Sequence, residues 1–503
     1  MNKDDRRNLR NRKRRIDRRL EDRVWEDQPV PMFKSSNVRY QMAARARGVS
    51  AGGIGAVHML AQRVGLVKAI DESLALLKVH LPYHESDHVL NIAYNVLAGN
   101  DRLEDIELLR HDESYMNLLG AQRIPDPTTA GDFLRRFNRY WIEGLMDAVN
   151  DVRVKVWSLH PPEPGASAVI DVDGVVTPTT GEKKEGMALS YKGIWGYHPL
   201  IVSLANTKEP LYLVNRSGNV PSHTDSVYWI DKAVKVCRKV YSDVLLRGDT
   251  DFSLTANFDR WTESGVRFVF GFDANKTLVE IANSLPKSAF SPLVRRPKYD
   301  VVGEPRKKRE NSKEKVVIEN EYTNIRLVSE EIAEFAYQPT KCERSYRMVV
   351  VKKNLSVEEG EKVLFDKIRY FFYVANDQKM SAEEVVWQAN ERCGDQENLI
   401  DQLKNGVNAL RVPVYDLDSN WAYMVIASLA WTLKAWFGLT LPRLVDREDV
   451  LHMEFKRFLK TVMLVPCQVI RAARRITLRV LAWTERVRLL FSSIGATARL
   501  STT

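Results

Sequence analysis

Cysteine is scarce in this chain: four in 503 residues, at 237, 342, 393 and 467, and no two form a CxxC pair. That spacing argues against a disulfide scaffold and against a thiolate zinc site, and it suits a reducing compartment. An apolar leader is also lacking, because the first twenty residues are charged, so no secretory signal is visible. No internal repeat is apparent. Long apolar runs are nearly absent too. The exception is 421–441, interrupted by Lys434 and preceded by Asp418-Ser419-Asn420, a good helix cap. A central lysine behind a cap fits a buried core helix better than a membrane span.

What is present is uneven charge. Residues 1–20 hold ten Lys/Arg against three Asp, a net +7, and residues 451–500 hold ten against two Glu, a net +8. The total is +10, so the remaining residues sum to 10 − 15 = −5. Two basic ends on a balanced body suit a polyanion, with nucleic acid first and an anionic membrane second; a basic tail that merely aids solubility is the plainer alternative. Apolar residues at 44% allow sizeable cores.

Periodicity divides the chain. Residues 1–50 are Arg-rich and without period, which predicts a disordered or only locally helical tail. Helical spacing over 55–65, 66–77, 88–97, 103–109 and 115–119 predicts a helical region, 51–160. Pro125-Asp126-Pro127-Thr128 caps a further helix over 129–149 that carries Arg135, Arg136 and Arg139. After the Pro161–Gly165 linker come β-rich runs at 168–176, 189–192, 199–204 and 211–215. A helix over 224–241, a strand over 243–247, a helix over 254–264 and a strand over 266–270 follow. This order predicts a mixed α/β sheet domain over 161–289. Residues 290–375 read as a β-rich insertion, with a charge-dense start centred on Arg306-Lys307-Lys308-Arg309 and strands at 324–328, 346–352 and 370–374. Residues 376–440 return to the core, and 441–503 read as a basic helical tail.

Acidic residues stand at three separated places. In the strand 168–176, Asp171 and Asp173 alternate with Ile170 and Val172 and therefore share one face. A buried carboxylate needs a partner, either a cation or an Arg/Lys. Asp249 follows an apolar strand and Arg247-Gly248, at the strand end where sites form in open α/β sheets. Asp251 is its neighbour, with helix capping as its plain role. Ser381 and Glu384 form a capping-box pattern for a helix that should stop near Gly394. Asp395 would then cap a second helix with Glu397 in its first turn, and Glu397, Asp401 and Lys404 would share a face. A surface ion-pair row is the commoner use of that pattern.

Taken together, these segments resemble the DDE transposases of bacterial insertion sequences, in the branch with a β-rich insertion and a Tyr-Arg-Glu-Lys signature. The resemblance also runs through Ala98–Ile106, Pro125–Thr129, Gly196–Leu200, Arg216–Asn219 and Gln468–Trp483. It implies a ribonuclease H-like core, α/β in class, preceded by a helical DNA-binding domain and followed by a helical basic tail. It implies Asp173, Asp249 and Glu397 as catalytic ligands of two Mg²⁺ or Mn²⁺ ions, with Asp171 and Asp251 as fallback acids. Arg392 and Lys404 take the signature's DNA-contacting places. Double-stranded DNA (element ends and target), a homodimer on that DNA, no membrane, and a cytoplasmic, nucleoid-associated setting follow from the same resemblance. The chain departs from the pattern in places. Trp387-Gln388-Ala389 stand where a tyrosine is expected, four residues separate Arg392 from Glu397, and Val175-Val176 precede Thr177. The shifted spacing keeps open a catalytically inactive, transposase-derived DNA-binding protein. A distant alternative is a zinc metallopeptidase, since His84-Glu85-Ser86-Asp87-His88 matches H-E-x-x-H. Pro82 and the capping residues Ser86-Asp87 would, however, place its histidines across a helix boundary. Gly52-Gly53-Ile54-Gly55 reads as a flexible lead-in.

Overall fold

The computed structural model describes residues 3–21, 39, 41, 47–80, 82–295, 312–360, 362–472 and 475–500. The Arg306–Arg309 cluster and most of 22–46 lie outside the described residues. The chain forms two compact units, Met1–Pro161 with Gly181–Gly186 and Asp401–Thr503, and Pro162–Thr180 with Met187–Ile400.

The first unit is built around the Leu417–Leu439 helix, whose residues 419–438 are all buried. A helix with no polar face must be covered on every side, and the Glu85–Leu97, Arg139–Trp157 and Leu444–His452 helices pack on it. By length and composition it could cross a membrane, and 94% of its apolar window is buried inside the protein. Lys434, fully buried there, donates to the Leu451 carbonyl at 2.8 Å and lies 3.9 Å from the Trp431 ring centroid.

Short polar residues start several of these helices. Asp112 accepts from Ser114 N–H at 2.8 Å, and Asp126 accepts from Thr129 N–H at 2.9 Å with Pro127 in the first helical position. Asn138 accepts from Trp141 N–H at 3.2 Å. That last cap divides the expected 129–149 helix into Pro127–Leu134 and Arg139–Trp157. Arg135 therefore closes one helix and Arg139 opens the next.

Lys3–Leu20 is a continuous helix with no buried residue. Two further expectations are corrected in this unit. The C-terminal region is not wholly helical: Cys467–Ala472 and Arg475–Val480 form a hairpin that pairs with Gly48–Val49. Alternation of Val469, Ile476, Leu478 and Val480 with polar residues is a period-2 pattern that the basic charge obscured. Gly52-Gly53 is tightly packed rather than flexible. Its amides donate to Val465 and Met463 carbonyls at 3.0 Å, and a Cβ on Gly52 would sit 2.3 Å from the Cys467 sulfur.

The second unit is a mixed sheet of nine strands. They are β1 (Ser167–Gly174), β2 (Leu200–Leu204), β3 (Glu209–Val214), β4 (Asp243–Gly248), β5 (Val266–Phe272), β6 (Ser291–Pro292), β7 (Thr323–Tyr337), β8 (Tyr346–Glu359) and β9 (Lys362–Ala375). Their spatial order is β6-β7-β8-β9-β5-β4-β1-β2-β3. β1, β2 and β3 form an antiparallel meander, while β4 and β5 run parallel to β1. The 3-2-1-4-5 order of these five gives the mixed α/β sheet that the sequence predicted. The Ser226–Cys237 helix packs on β1, β2 and β3.

The β-rich insertion continues the same sheet, because β9 pairs antiparallel with β5, Phe372 opposite Phe272. β7, β8 and β9 are 15, 14 and 14 residues long, well beyond the expected strands. Charged residues pair across the ladder and carry it past the expected strand ends: Glu331 with Lys352 at 3.2 Å and Glu330 with Lys353 at 3.2 Å.

Candidate active site

The site starts from strand register. In the parallel β1–β4 pair, Asp171 lies opposite Arg247 and Val172 opposite Gly248. Side chains alternate faces along a strand, so Asp173 and Asp249, two positions on, occupy the same face one step nearer the strand ends. Neighbouring strands are about 4.8 Å apart, which sets these two carboxylates side by side. The Ala382–Asp401 helix covers that face, and Gln396 donates to the Ile201 carbonyl at 3.2 Å and bonds to Ser203.

Two ion-pair layers connect sheet to helix. In the inner layer, Arg247 forks onto Asp171 at 2.7 and 2.8 Å and reaches Asp395 at 3.0 Å and the Gln388 carbonyl at 3.3 Å. Glu391 lies 3.6 Å from the same guanidinium. The side chains of Asp171 and Arg247 are 0% and 1% exposed. Burial works against the Arg247 charge, and Asp171 and Asp395 more than offset it, holding the group above its ordinary pKa. Asp171, the fallback acid, is thus fully engaged in a structural pair.

In the outer layer, Arg392 donates to Asp173 at 2.7 Å. Burial pushes the Asp173 carboxyl above its ordinary range; Arg392 and the Gly174 amide pull it back, and the Glu397 charge pushes it up again. Asp249 is pushed up to about 6, by burial first and then by the Asp173 charge. Burial lowers Arg392, but Asp173 and Asp249 raise it past its ordinary value. One guanidinium, bonded to Asp173, therefore also acts by its charge on the neighbouring Asp249.

Local folding fixes Asp249. Its carboxylate accepts the Asp251 N–H at 3.0 Å and starts the Thr250–Phe252 turn. Asp251 itself is exposed and serves that turn through its backbone. Gly248 lets the chain close onto Phe252, since a Cβ there would meet the Phe252 Cβ at 2.9 Å.

Glu397 differs from expectation. The capping box is present, Ser381 N–H to Glu384 at 2.7 Å and Glu384 N–H to Ser381 at 3.1 Å. The helix then runs unbroken from Ala382 through Gly394 to Asp401. Glu397 is exposed in its last third, not in a first turn, and Asp395 caps nothing; it binds Arg247 and Lys208. Lys404 falls in a π-helical turn, Gln402–Gly406, so α-helical spacing does not extend to it.

Asp173, Asp249 and Arg392 are thus brought together, with Glu397 within electrostatic reach of Asp173. Arg135 and Arg139 pair locally, with Asp132 and, at 2.8 Å, Glu143, and Arg136 donates to the Leu76 carbonyl at 3.3 Å. Sequence reasoning missed Arg247, whose signal was its place directly opposite Asp171 once the two strands are read as a parallel pair.

The zinc-peptidase pattern does not form its site. His84 precedes the Glu85–Leu97 helix, its N–H donating to Asp87 at 2.9 Å. Glu85 accepts from the Leu76 and Leu77 amides at 3.1 and 3.0 Å, and His88 stacks on Phe133.

Comparison with known families decides the identity. The model of the family described as transposase DDE domain, group 1, matches residues 31–499. The chain belongs to that family. Comparison with curated proteins gives no match. Among solved structures, this transposase-family chain is similar to a piggyBac transposase in a synaptic complex with hairpin DNA, at 10% identity and TM-score 0.34, over 83% of this chain and 85% of that one. A likeness that weak bears on neither the site nor its ligand.

Transposases of this family use divalent metal ions, and the site's donors suit one. Carboxylate oxygens are the hard donors that Mg²⁺ and Mn²⁺ prefer. Burial first, and then the Asp173 charge, raises Asp249, and Arg392 offsets this only in part. Among the described residues, no three His, Cys, Asp or Glu side chains are grouped as a ready-made cage.

Proposed function

We propose that this chain is an insertion-sequence DNA transposase whose strand chemistry is carried out at Asp173, Asp249 and Glu397. The observation that carries the reading is the crowded Asp173–Asp249 pair at the ends of adjacent parallel strands, with Arg392 bonded to Asp173. In this reading the three carboxylates hold two Mg²⁺ or Mn²⁺ ions. When bound, such ions activate the attacking oxygen, from water or a DNA 3′-hydroxyl, and stabilise the leaving oxygen on phosphorus. Asp173 and Asp249 supply oxygens fixed by the strand ladder, and Glu397 supplies one from the helix. Arg392, which bonds Asp173 here, would be placed to bond a DNA phosphate beside the ions the carboxylates would hold. Lys404, Arg135, Arg136, Arg139 and the basic ends add phosphate contacts, which makes affinity fall with salt. A homodimer pairing two element ends in a bacterial cytoplasm belongs to the same proposal.

The bond between Arg392 and Asp173 also favours a second reading, a DNA-binding protein that has lost catalysis, with Arg392 filling the cation's role. Incubation of the purified chain with element-end DNA and Mg²⁺ or Mn²⁺ separates the two. Nicks that vanish in Asp249→Ala support the transposase; DNA binding without nicks under any divalent ion supports the inactive form.

A further inference from the structure

The helical unit holds a cavity of about 490 Å³ that the strand chemistry does not use. Its volume falls in the roughly 300–1,000 Å³ range of ligand pockets. Lys78, Arg123 and Arg136 line it, together with the rings of Tyr83, His88 and Phe133. Among the described residues, the lining holds a single carboxylate, Asp132, which is paired with Arg135.

The aromatic wall is built rather than incidental. His88 stacks on Phe133 with centroids 4.4 Å apart and planes at 10°, and the Tyr83 ring meets His88 edge-on at 5.4 Å. Arg123 lies over the Tyr83 ring at 5.7 Å, and its Nε donates to the Tyr83 hydroxyl at 2.9 Å. His88 is only 4% exposed, yet among the described residues its Nδ1 has no hydrogen-bond partner. A buried polar atom left unmet costs free energy unless a ligand meets it. Burial pushes His88 down to about 4, so the ring is neutral near pH 7 and can offer a single directional hydrogen bond. Glu85, by accepting the Leu76 and Leu77 amides, pins the loop that carries Lys78.

Cations on the rim and rings in the wall are the combination that receives an unstacked nucleotide, with phosphate on the cations and the base against the rings. We propose that this cavity takes one unpaired nucleotide of bound DNA, its base against the half-buried Tyr83 ring at the edge of the buried His88–Phe133 stack and its phosphate on Lys78, Arg123 and Arg136. The proposal rests on the reading of the chain as DNA-binding. A free mononucleotide shares the same chemistry, so the test must tell the two sources apart.

Fluorescence anisotropy of the full chain on a short labelled duplex with one extrahelical adenosine serves as the test. Comparators are the same duplex with an abasic residue at that place, the fully paired duplex, and unlabelled dAMP. The adenosine duplex should bind about tenfold tighter than the abasic one. Tyr83→Ala should reduce that gap to about twofold or less, a loss of most of one stacking contact. His88→Phe, which keeps the stack on Phe133 but deletes Nδ1, should narrow it as well. Lys78→Gln should weaken both duplexes alike. Equal binding of adenosine and abasic duplexes, or a gap that persists in both Tyr83→Ala and His88→Phe, overturns the proposal. So does saturable dAMP binding that Tyr83→Ala abolishes when the bulged duplex shows no preference. Absence of all duplex binding overturns the transposase reading together with it, whereas duplex binding without preference overturns this proposal alone.

Discussion

Asp171→Asn should damage the fold, while Asp173→Asn should leave it standing. The Asp171 carboxylate is 0% exposed and takes both arms of a guanidinium that is 1% exposed. Removing one partner of a buried pair typically costs about 3–5 kcal/mol, because the other charge stays buried and uncompensated. Asp395 still contacts Arg247 at 3.0 Å in the variant, which places the expected loss near the lower bound, about 3 kcal/mol. Urea unfolding followed by tryptophan fluorescence reports on this unit through Trp229 and Trp261, both buried within it. With a slope of roughly 3 kcal/mol/M, the midpoint should fall by about 1 M. The double variant Asp171→Leu/Arg247→Met removes both charges and should regain most of the loss, since replacing a whole buried pair by apolar groups is often neutral. Asp173, 17% exposed and already disfavoured as an anion by burial and by Glu397, should lose less on conversion to Asn than Asp171 does. If Asp171→Asn instead unfolds like the wild type and loses strand cleavage, Asp171 is the catalytic acid and the assignment of the two layers is wrong.

Other outcomes follow from the same geometry. Asp249 is raised to about 6 by burial and by Asp173; an acid whose folded pKa exceeds its unfolded value disfavours the fold once ionised, so metal-free stability should fall as pH rises from about 4 through about 6. Asp249→Asn should flatten that stretch of a thermal-melt profile, and an unchanged profile would count against the shift. Gly248→Ala places a Cβ 2.9 Å from that of Phe252 and should cost about 1–3 kcal/mol by overpacking, read by denaturation, with cleavage lost as Asp249 is displaced. Arg392→Ala frees Asp173 and should tighten Mn²⁺ binding measured by calorimetry without DNA, while weakening binding to DNA; looser Mn²⁺ binding would mean that Arg392 does not compete for the acids.

The legibility of the chain followed the range of its interactions. Asp173 and Asp249 were readable because each ends an apolar strand, a local signal, and the parallel register then sets them side by side. The shared face of Asp171 and Asp173 was equally plain from alternation, but which of them is spent on Arg247 depends on a pairing that is distant in sequence. Glu397 was misplaced because Gly394 read as a helix stop; inside the Ala382–Asp401 helix its cost of about 1 kcal/mol against alanine is outweighed by tertiary contacts such as Arg392–Asp173 and Gln396–Ile201. The insertion strands came out too short since the apolar β runs stop near 328 and 352, where cross-strand pairs such as Glu330–Lys353 continue the ladder. The Cys467–Val480 hairpin was hidden beneath basic charge.

Titration of the purified chain with Mn²⁺, read as the loss of the free-ion electron paramagnetic resonance signal, tests the central claim most directly. The wild type should take up Mn²⁺ with an affinity that drops about tenfold or more in each of Asp173→Asn, Asp249→Asn and Glu397→Gln. Affinity that stays at the wild-type level in Asp173→Asn and Asp249→Asn would contradict the claim that these strand ends hold the ions.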